Sequence, residues 1–232
     1  MCRHIAWLGA PRTLSSLLLE PEHGLLRQSY APRRQKHGLM NADGWGAGWW
    51  SPGIPVPARW RAGRPFWGDA SFASVAPHVT SPAIIAAVRS ATVGMPRDET
   101  AAAPFQRGGW LLSHNGRGDR STLPPHAGAA AESVCDSAVL ASWLLEEPAT
   151  LAHRVREAAE RDPAARLNIL AGDGTRVIAT TWGDSLSVLV TAGGVVVASE
   201  PYDDDPAWRD IPDRSLLTAT PDGVSVTDLG EA

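Results

Sequence analysis

The sequence CRHIAWL at residues 2–8 places a cysteine directly after the first methionine and leads from it into a short apolar run. A run of this kind is typical of a β-strand. A small second residue permits removal of the methionine, so that the thiol of Cys2 lies beside its own α-amino group. That amine has an ordinary pKa of about 7.7–8.0 and can accept the proton of a thiol near about 8.5. Nucleophile and general base would then belong to one residue, although a cysteine here means little on its own.

Short strand-like stretches recur outward from this run through the whole chain. Apolar or glycine-laced runs bounded by turn residues occupy residues 45–50, 84–88, 110–113, 167–171, 176–181, 187–191, 195–199, 216–220 and 224–227. Asp173-Gly174, Gly193-Gly194 and Asp222-Gly223 fall between neighbouring runs, where such pairs favour hairpin turns. The strands are therefore expected to pair in an antiparallel way.

Helical patterns are fewer than strand patterns. The clearest helix is predicted over residues 133–146. Its apolar face is formed by Val134, Ala138, Ala141 and Leu145. A second helix is predicted over residues 152–161, and Thr13 is expected to cap a short helix through Leu19. Helices placed between antiparallel strand pairs predict an α+β fold of two antiparallel sheets with helical cover, in one domain over residues 1–232.

Composition excludes several classes of function. The net charge of -4 argues against a nucleic-acid partner, because no basic surplus is available to neutralise phosphates. No window approaches the roughly 18 apolar residues that span a bilayer, and two cysteines imply no disulfide framework. The seven histidines lack metal-ligand spacing, so neither a metal nor a cofactor is expected. A reduced, cytoplasmic protein follows.

Three polar positions near the ends of the runs are candidates for chemistry. In residues 113–116, Ser-His-Asn-Gly, an amide side chain and a backbone N–H can donate to one tetrahedral oxyanion, although an isolated Asn-Gly pair is more often a turn. Arg89 can hold a carboxylate with its fork of donors, or it can simply reach solvent. Asp136 can bind an ammonium group, or it can form a capping box with Ser133. Spacing alone leaves these alternatives open.

The order of these features resembles one known family. The chain contains Cys2, Asp-Gly-Trp-Gly at 43–46, Arg89 with Ala91-Thr92, Pro104-Phe105, His-Asn-Gly at 114–116, and Asp136-Ser137. This order resembles the class-II glutamine amidotransferases, which are N-terminal-nucleophile hydrolases. The resemblance implies a four-layer αββα sandwich of two antiparallel sheets flanked by helices. Residues 29–40 and 199–205 are similar to a stand-alone amidohydrolase branch, which implies cleavage of a γ-glutamyl amide without ATP or metal.

The resemblance also implies a role for each motif residue. Cys2 is the expected nucleophile, with Asn115 and Gly116 as the oxyanion hole. Substrate-binding roles fall on Arg89 for the α-carboxylate, Asp136 for the α-ammonium, and Thr92 and His114 as parts of the same motifs. Tyr202, which precedes three acids, is expected at a cationic part of the substrate, because aromatic faces and acids attract cations.

The expected partner is therefore a small γ-glutamyl compound. A homo-oligomer is compatible with the sequence, and a nucleic-acid or membrane partner is not expected. Two rival interpretations stay open at this point. One is a glutaminase subunit that supplies ammonia to a separate synthase, and the other is an inactive ligand-binding module.

Overall fold

The computed structural model describes residues 2–230, so Met1, whose removal the sequence predicts, lies outside the described residues. The strands are β1 Arg3–Thr13, β2 Trp45–Trp49, β3 Ala58–Ala62, β4 Thr80–Val88, β5 Phe105–Arg107, β6 Trp110–Arg117, β7 Arg166–Gly172, β8 Val177–Thr180, β9 Ser187–Thr191, β10 Gly194–Ala198, β11 Arg209–Asp210, β12 Ser215–Thr220 and β13 Gly223–Asp228. The α-helices are α1 Leu14–Leu18, α2 Leu25–Tyr30, α3 Ala70–Val75, α4 Pro125–Ala130, α5 Asp136–Leu144 and α6 Leu151–Arg161.

The strands form two antiparallel sheets. The first has seven strands in the order β11-β9-β10-β1-β4-β2-β3, and the second has six in the order β13-β12-β8-β7-β6-β5. Hairpins join β7 to β8, β9 to β10 and β12 to β13. The first turn contains Asp173-Gly174 as predicted, whereas the other two lie one residue before the predicted pairs, because Gly194 and Gly223 already pair with the opposite strand. The predicted fold class is confirmed.

Strand β1 shows why the sheets are stacked with helices outside them. Its alternate side chains point to opposite faces, as strand geometry requires. Ile5 and Trp7 join a core that includes residues of α1, α2 and α3, whereas Ala6 and Leu8 join a core shared with the second sheet. A third core lies between the second sheet and helices α5 and α6. Because both faces of β1 are covered there, residues 5–8 are apolar without alternation.

The glycines of β2 allow the two sheets to approach closely. A Cβ atom at Gly48 would lie 2.4 Å from a methyl carbon of Leu111 in the second sheet, and one at Gly46 would lie 2.4 Å from the carbonyl oxygen of Ala103. Strand β2 pairs with β3 and β4.

Three helix predictions can be compared directly with the structure. The Oγ1 atom of Thr13 accepts from the backbone nitrogen of Ser16 at 3.1 Å, which confirms the predicted cap of α1. The predicted start of the clearest helix at residue 133 is wrong, because α5 begins at Asp136. Val134 therefore lies outside the helix, is 62% exposed and does not belong to the apolar face. Helix α6 matches its prediction within one residue.

Candidate active site

A cavity lies at the end of the first sheet where β1 begins and β4 ends. Arg3 is the first residue of β1 and pairs with Val88, the last of β4, so Cys2 and Arg89 lie at neighbouring strand ends. The cavity, called the Cys2 cavity below, is lined by Cys2, Ala87, Val88, Arg89, Ala101, Ala103, Phe105, His114 and Ser137. It brings the predicted nucleophile together with two of the predicted substrate-binding residues.

Strand β6 has one edge that β5 does not cover. Strand β5 pairs with β6 only as far as Leu112, whereas β7 continues along the other edge to Arg117. Among the described residues, the first edge of β6 therefore has no strand partner from position 113 onward. Asn115 and Gly116 lie on this stretch. They are inside a strand, so the alternative interpretation of this pair as a turn is wrong.

The side chain of Asn115 contacts Cys2 directly. Its Oδ1 atom lies 3.1 Å from the backbone nitrogen of Cys2, which donates to it. Asn115 is fully buried and Cys2 is half-buried with a free thiol. In a chain without Met1, this nitrogen is the α-amino group. Asn115 is therefore placed to fix the position of the amine that the sequence predicts as the base.

Ser199 fixes the other end of the Asn115 amide. The Nδ2 atom of Asn115 donates to the hydroxyl of Ser199 at 3.3 Å, and the same hydroxyl accepts from the backbone nitrogen of His4 at 3.0 Å. An amide nitrogen carries two hydrogens, so one N–H of Asn115 is left for a further acceptor. Sequence reasoning gave Ser199 no role, and only its place in the similar stretch at 199–205 could have indicated one.

Gly116 occupies a position that no other residue could take. A Cβ atom there would lie 1.9 Å from the carbonyl oxygen of Arg166 and 2.5 Å from the Nε2 atom of His114. Both distances are well inside van der Waals contact. The backbone of β6 is therefore pressed against β7 at this point, beside the imidazole that lines the Cys2 cavity.

Two buried histidines flank the site, and both are held neutral. The Nε2 atom of His114 lies 2.8 Å from the carbonyl of Arg166, so it carries the hydrogen, and the Nδ1 atom at 2.9 Å accepts from Ser137. Burial lowers the pKa of His114, and the charge of Asp136 opposes that shift in part. Burial also lowers the pKa of His4 to about 3, and its Nδ1 atom lies 3.2 Å from the hydroxyl of Ser113.

Arg89 is a buried cation at the rim of the Cys2 cavity. It is 8% exposed, so the alternative interpretation as a residue that reaches solvent is wrong. Its Nη1 atom donates to the carbonyls of Pro96 at 2.7 Å and Asp43 at 3.4 Å. Thr92 lies in the loop that follows and is exposed. It is not among the residues that line the cavity, so the structure does not bring it to Cys2.

Asp136 does not line the Cys2 cavity. It is the first residue of α5 and follows the N-cap Cys135, which makes no side-chain cap bond, so the alternative capping box with Ser133 is absent. The Oδ2 atom of Asp136 accepts from the backbone nitrogen of Gly118 at 3.2 Å. Asp136 lines a second cavity that shares His114 with the Cys2 cavity. The next residue, Ser137, was not predicted, although it lines the Cys2 cavity itself.

Tyr202 lies apart from the residues described so far. Its ring is 9% exposed and packs edge-on against Trp208, with the ring centroids 5.3 Å apart. It belongs to the core outside the first sheet and does not line the Cys2 cavity. Its placement gives no support to the expected contact with a cationic part of the substrate.

Neither a metal cluster nor the second thiol provides an alternative centre for chemistry in residues 2–230. Within this range, three or more histidine, cysteine or acidic side chains nowhere cluster in a way that could hold a metal ion. None of the described helices is long and apolar enough to cross a membrane. Burial raises the pKa of the second thiol, that of Cys135, which disfavours the reactive thiolate.

Comparison with known proteins identifies full-length relatives. The chain is 60% identical over 230 residues to the gamma-glutamyl-hercynylcysteine sulfoxide hydrolase of Mycolicibacterium smegmatis, which covers 99% of this chain and 100% of that protein. It is 58% identical over 233 residues to the protein of the same name from Mycobacterium tuberculosis, with 100% and 98% covered. No family model matches the chain.

Among solved structures, the glutamine aminotransferase class-II domain protein from Silicibacter pomeroyi superposes with a TM-score of 0.69. The sequence identity is 21%, and the match covers 98% of this chain and 99% of that one. At this identity the likeness concerns the fold, and it supports the αββα layering described above.

Proposed function

Because the chain belongs to the family of gamma-glutamyl-hercynylcysteine sulfoxide hydrolases, we propose that it hydrolyses the γ-glutamyl amide bond of that substrate. The products are glutamate and hercynylcysteine sulfoxide. The resemblance of the sequence to this branch also implies a place in ergothioneine biosynthesis. The reaction is an amide hydrolysis that needs a nucleophile, a base, an oxyanion hole and residues that bind the glutamyl group.

One observation carries the assignment of the nucleophile. The backbone nitrogen of Cys2 donates a hydrogen bond to the Oδ1 atom of Asn115 at 3.1 Å. Cys2 also lines a cavity that contains the buried cation Arg89. A thiol, an amide side chain and a carboxylate-binding group therefore meet at one end of the first sheet. This is the set of groups that cleavage of a γ-glutamyl amide requires.

The base in this mechanism is the α-amine of Cys2 in the chain without Met1. The alternatives nearby are poor bases. Both ring nitrogens of His114 are engaged, one with a carbonyl and one with Ser137, and the lowered pKa of His4 makes its imidazole a very weak base. The amine takes the thiol proton, and the sulfur then attacks the γ-carbonyl carbon to form a carbon–sulfur bond.

Asn115 and Gly116 stabilise the oxyanion that forms in this attack. The free N–H of the Asn115 amide and the backbone N–H of Gly116 are the proposed donors, and preorganised donors of this kind are worth several kcal/mol to the transition state. Ser199 and Cys2 hold the amide in place, so little reorganisation is needed. Collapse of the oxyanion breaks the carbon–nitrogen bond, and the protonated amine of Cys2 supplies the proton to the departing nitrogen.

The glutamyl group then remains on Cys2 as a thioester. Water, activated by the same amine, attacks the thioester and releases glutamate with regeneration of the thiol. Arg89 binds the α-carboxylate throughout, and Asp136 is the proposed partner of the α-ammonium. No step requires a metal or a cofactor.

The test of the proposed function is turnover of the named substrate by the purified protein and by Cys2→Ala. Wild type should release glutamate and hercynylcysteine sulfoxide, and should cleave free glutamine more slowly. The alanine variant should bind substrate without turnover. Faster hydrolysis of glutamine by wild type would instead favour an ammonia-supplying glutaminase, and equal activity of the alanine variant would exclude Cys2 as nucleophile.

A further inference from the structure

Residues 33–40, called the 33–40 segment below, lie across the end of the first sheet at which Cys2 is found. The Nε atom of Arg3, the residue after Cys2, donates to Oε1 of Gln35 at 3.4 Å. A Cβ atom at Gly38 would lie 3.9 Å from the hydroxyl of Ser90, the residue after Arg89. The segment therefore contacts the chain neighbour of Cys2 through Gln35, and its Gly38 lies near the chain neighbour of Arg89.

A buried carboxylate anchors the beginning of this segment. Glu200 is fully buried, and its two oxygens accept from the backbone nitrogens of Arg33 at 2.9 Å and Arg34 at 2.8 Å. The guanidinium groups of these two arginines form ion pairs with Asp204 at 2.7 Å and Asp210 at 2.5 Å. The backbone is thus fixed, and both arginine charges are already paired.

Lys36 differs from these arginines because its charge is not paired. Its side chain is exposed, and no acidic group of residues 2–230 forms an ion pair with it. It is also the only lysine in the sequence. It lies between Gln35, which contacts Arg3, and Gly38, which lies near Ser90. Lys36 therefore follows an anchored stretch and lies one residue from the contact of Gln35 with Arg3, next to Cys2 in the chain.

The leaving group of the proposed substrate carries negative charges that Lys36 could bind. The Cys2 cavity is lined mainly by small or apolar side chains together with Arg89, so a glutamyl group placed there leaves the rest of the substrate outside. The leaving group consists of a cysteine sulfoxide joined to a histidine betaine and therefore bears two carboxylates and one trimethylammonium. Its carboxylates can be bound by an ammonium group through charge-assisted hydrogen bonds.

We propose that Lys36 binds a carboxylate of the leaving group and that the 33–40 segment is the surface that selects this leaving group over ammonia. The proposal rests on the function proposed above. Lys36 determines specificity and does not contact the reacting atoms. Glutamine leaves only ammonia, so its hydrolysis makes no use of Lys36.

The test compares kcat/KM for γ-glutamyl-hercynylcysteine sulfoxide and for glutamine in wild type, Lys36→Gln and Lys36→Arg. We expect Lys36→Gln to lower kcat/KM for the sulfoxide about tenfold, which is the effect of one hydrogen bond to a charged group. The value for glutamine should stay within about twofold. Lys36→Arg should restore most of the loss, because it keeps the charge.

Arg156→Gln is a matched control, since it removes a half-buried cation on α6 that donates to the carbonyl of Gly230. This variant should leave kcat/KM unchanged for both substrates. An unchanged ratio of the two kcat/KM values in Lys36→Gln, or an equal loss for both, would overturn the proposal for Lys36. Failure of wild type to prefer the sulfoxide would instead contradict the proposed function, so the two failures are distinguishable.

Discussion

The side-chain oxygen of Asn115 lies 3.1 Å from the nitrogen of Cys2. In the proposed mechanism a single amide has two tasks, because its oxygen holds the amine of Cys2 while its nitrogen donates to the oxyanion. The two tasks require opposite ends of the side chain. They can therefore be separated by a substitution that changes one end only.

Asn115→Asp keeps an oxygen that can accept from the nitrogen of Cys2 and removes the Nδ2 donor. We expect kcat to fall about 100- to 1000-fold, the usual loss for one oxyanion-hole donor. Alkylation of Cys2 by a thiol reagent should be slowed far less than kcat, because the amine keeps an acceptor and the added carboxylate charge acts only by disfavouring the thiolate. An Asp variant with wild-type kcat would show that this amide does not stabilise the oxyanion.

Ser199 positions the Asn115 amide, so its hydroxyl should affect kcat more than KM. For Ser199→Ala we expect kcat to fall about tenfold, in line with the loss of a buried hydrogen bond of about 1–1.5 kcal/mol. The matched control is Ser185→Ala, which removes a hydroxyl that donates to the carbonyl of Ser199 at 2.7 Å and leaves the Ser199 hydroxyl intact. Equal losses of kcat in the two variants would indicate a general effect on stability.

Arg89 should be needed for every γ-glutamyl substrate, because it is proposed to bind the part that they share. Lysine cannot reproduce its planar fork of donors. Arg89→Lys should lower kcat/KM about 10- to 100-fold for the sulfoxide and for glutamine alike. Arg97→Lys, in the loop that follows, is the control, since this arginine is 75% exposed and meets Asp43 at 3.4 Å. A loss confined to one of the two substrates would argue against the α-carboxylate as its ligand.

The lowered pKa of His4 makes the stability of the fold depend on pH. The imidazole is neutral in the folded protein down to a pKa of about 3 but protonates near 6.5 in the unfolded chain. Stability is therefore lost as the pH falls below 6.5, and His4 alone should lower the free energy of unfolding by about 2 kcal/mol between pH 7 and pH 5.

Denaturant unfolding at both pH values checks this expectation. His4→Asn, which cannot titrate, should show a smaller loss between pH 7 and pH 5 than wild type. The same loss in both proteins would mean that His4 does not make this contribution.

Most strands could be predicted from the sequence because each is a short apolar run that ends at a turn, as in the hairpin at Asp173-Gly174. The short helices could not be predicted in the same way. Helices α2, α3 and α4 have only six residues each, too few for a 3.6-residue period to be visible. They form because the apolar faces of the sheets need cover, which is a property of the whole fold.

The site residues likewise include some that the sequence could predict and some that it could not. Cys2, Arg89 and Asn115 belong to ordered motifs, and the structure places the first two in one cavity with the third bonded to Cys2. Ser199 acts through a contact 84 residues distant along the chain, which no local pattern reveals. Tyr202 was predicted from its acidic neighbours, but its burial is decided by Trp208 and the outer core.

The segments at 29–40 and 199–205, which carry the resemblance to the branch, are in contact with each other. The carboxylate of Glu200, in the segment 199–205, accepts hydrogen bonds from the backbone nitrogens of Arg33 and Arg34, in the segment 29–40. The sequence showed both segments but not that one anchors the other, because ion pairs and buried carboxylates between distant stretches depend on the tertiary fold. The identity of 58–60% to the sulfoxide hydrolases over nearly the full length of the chain confirms the resemblance.

The most direct measurement is mass spectrometry of the intact protein before and after rapid quenching with a stoichiometric dose of substrate. The mechanism requires that Met1 be absent, and that a transient adduct with the mass of one glutamyl group be found on the peptide that begins with Cys2. A protein that retains Met1 and still turns over the substrate at the full rate would contradict it.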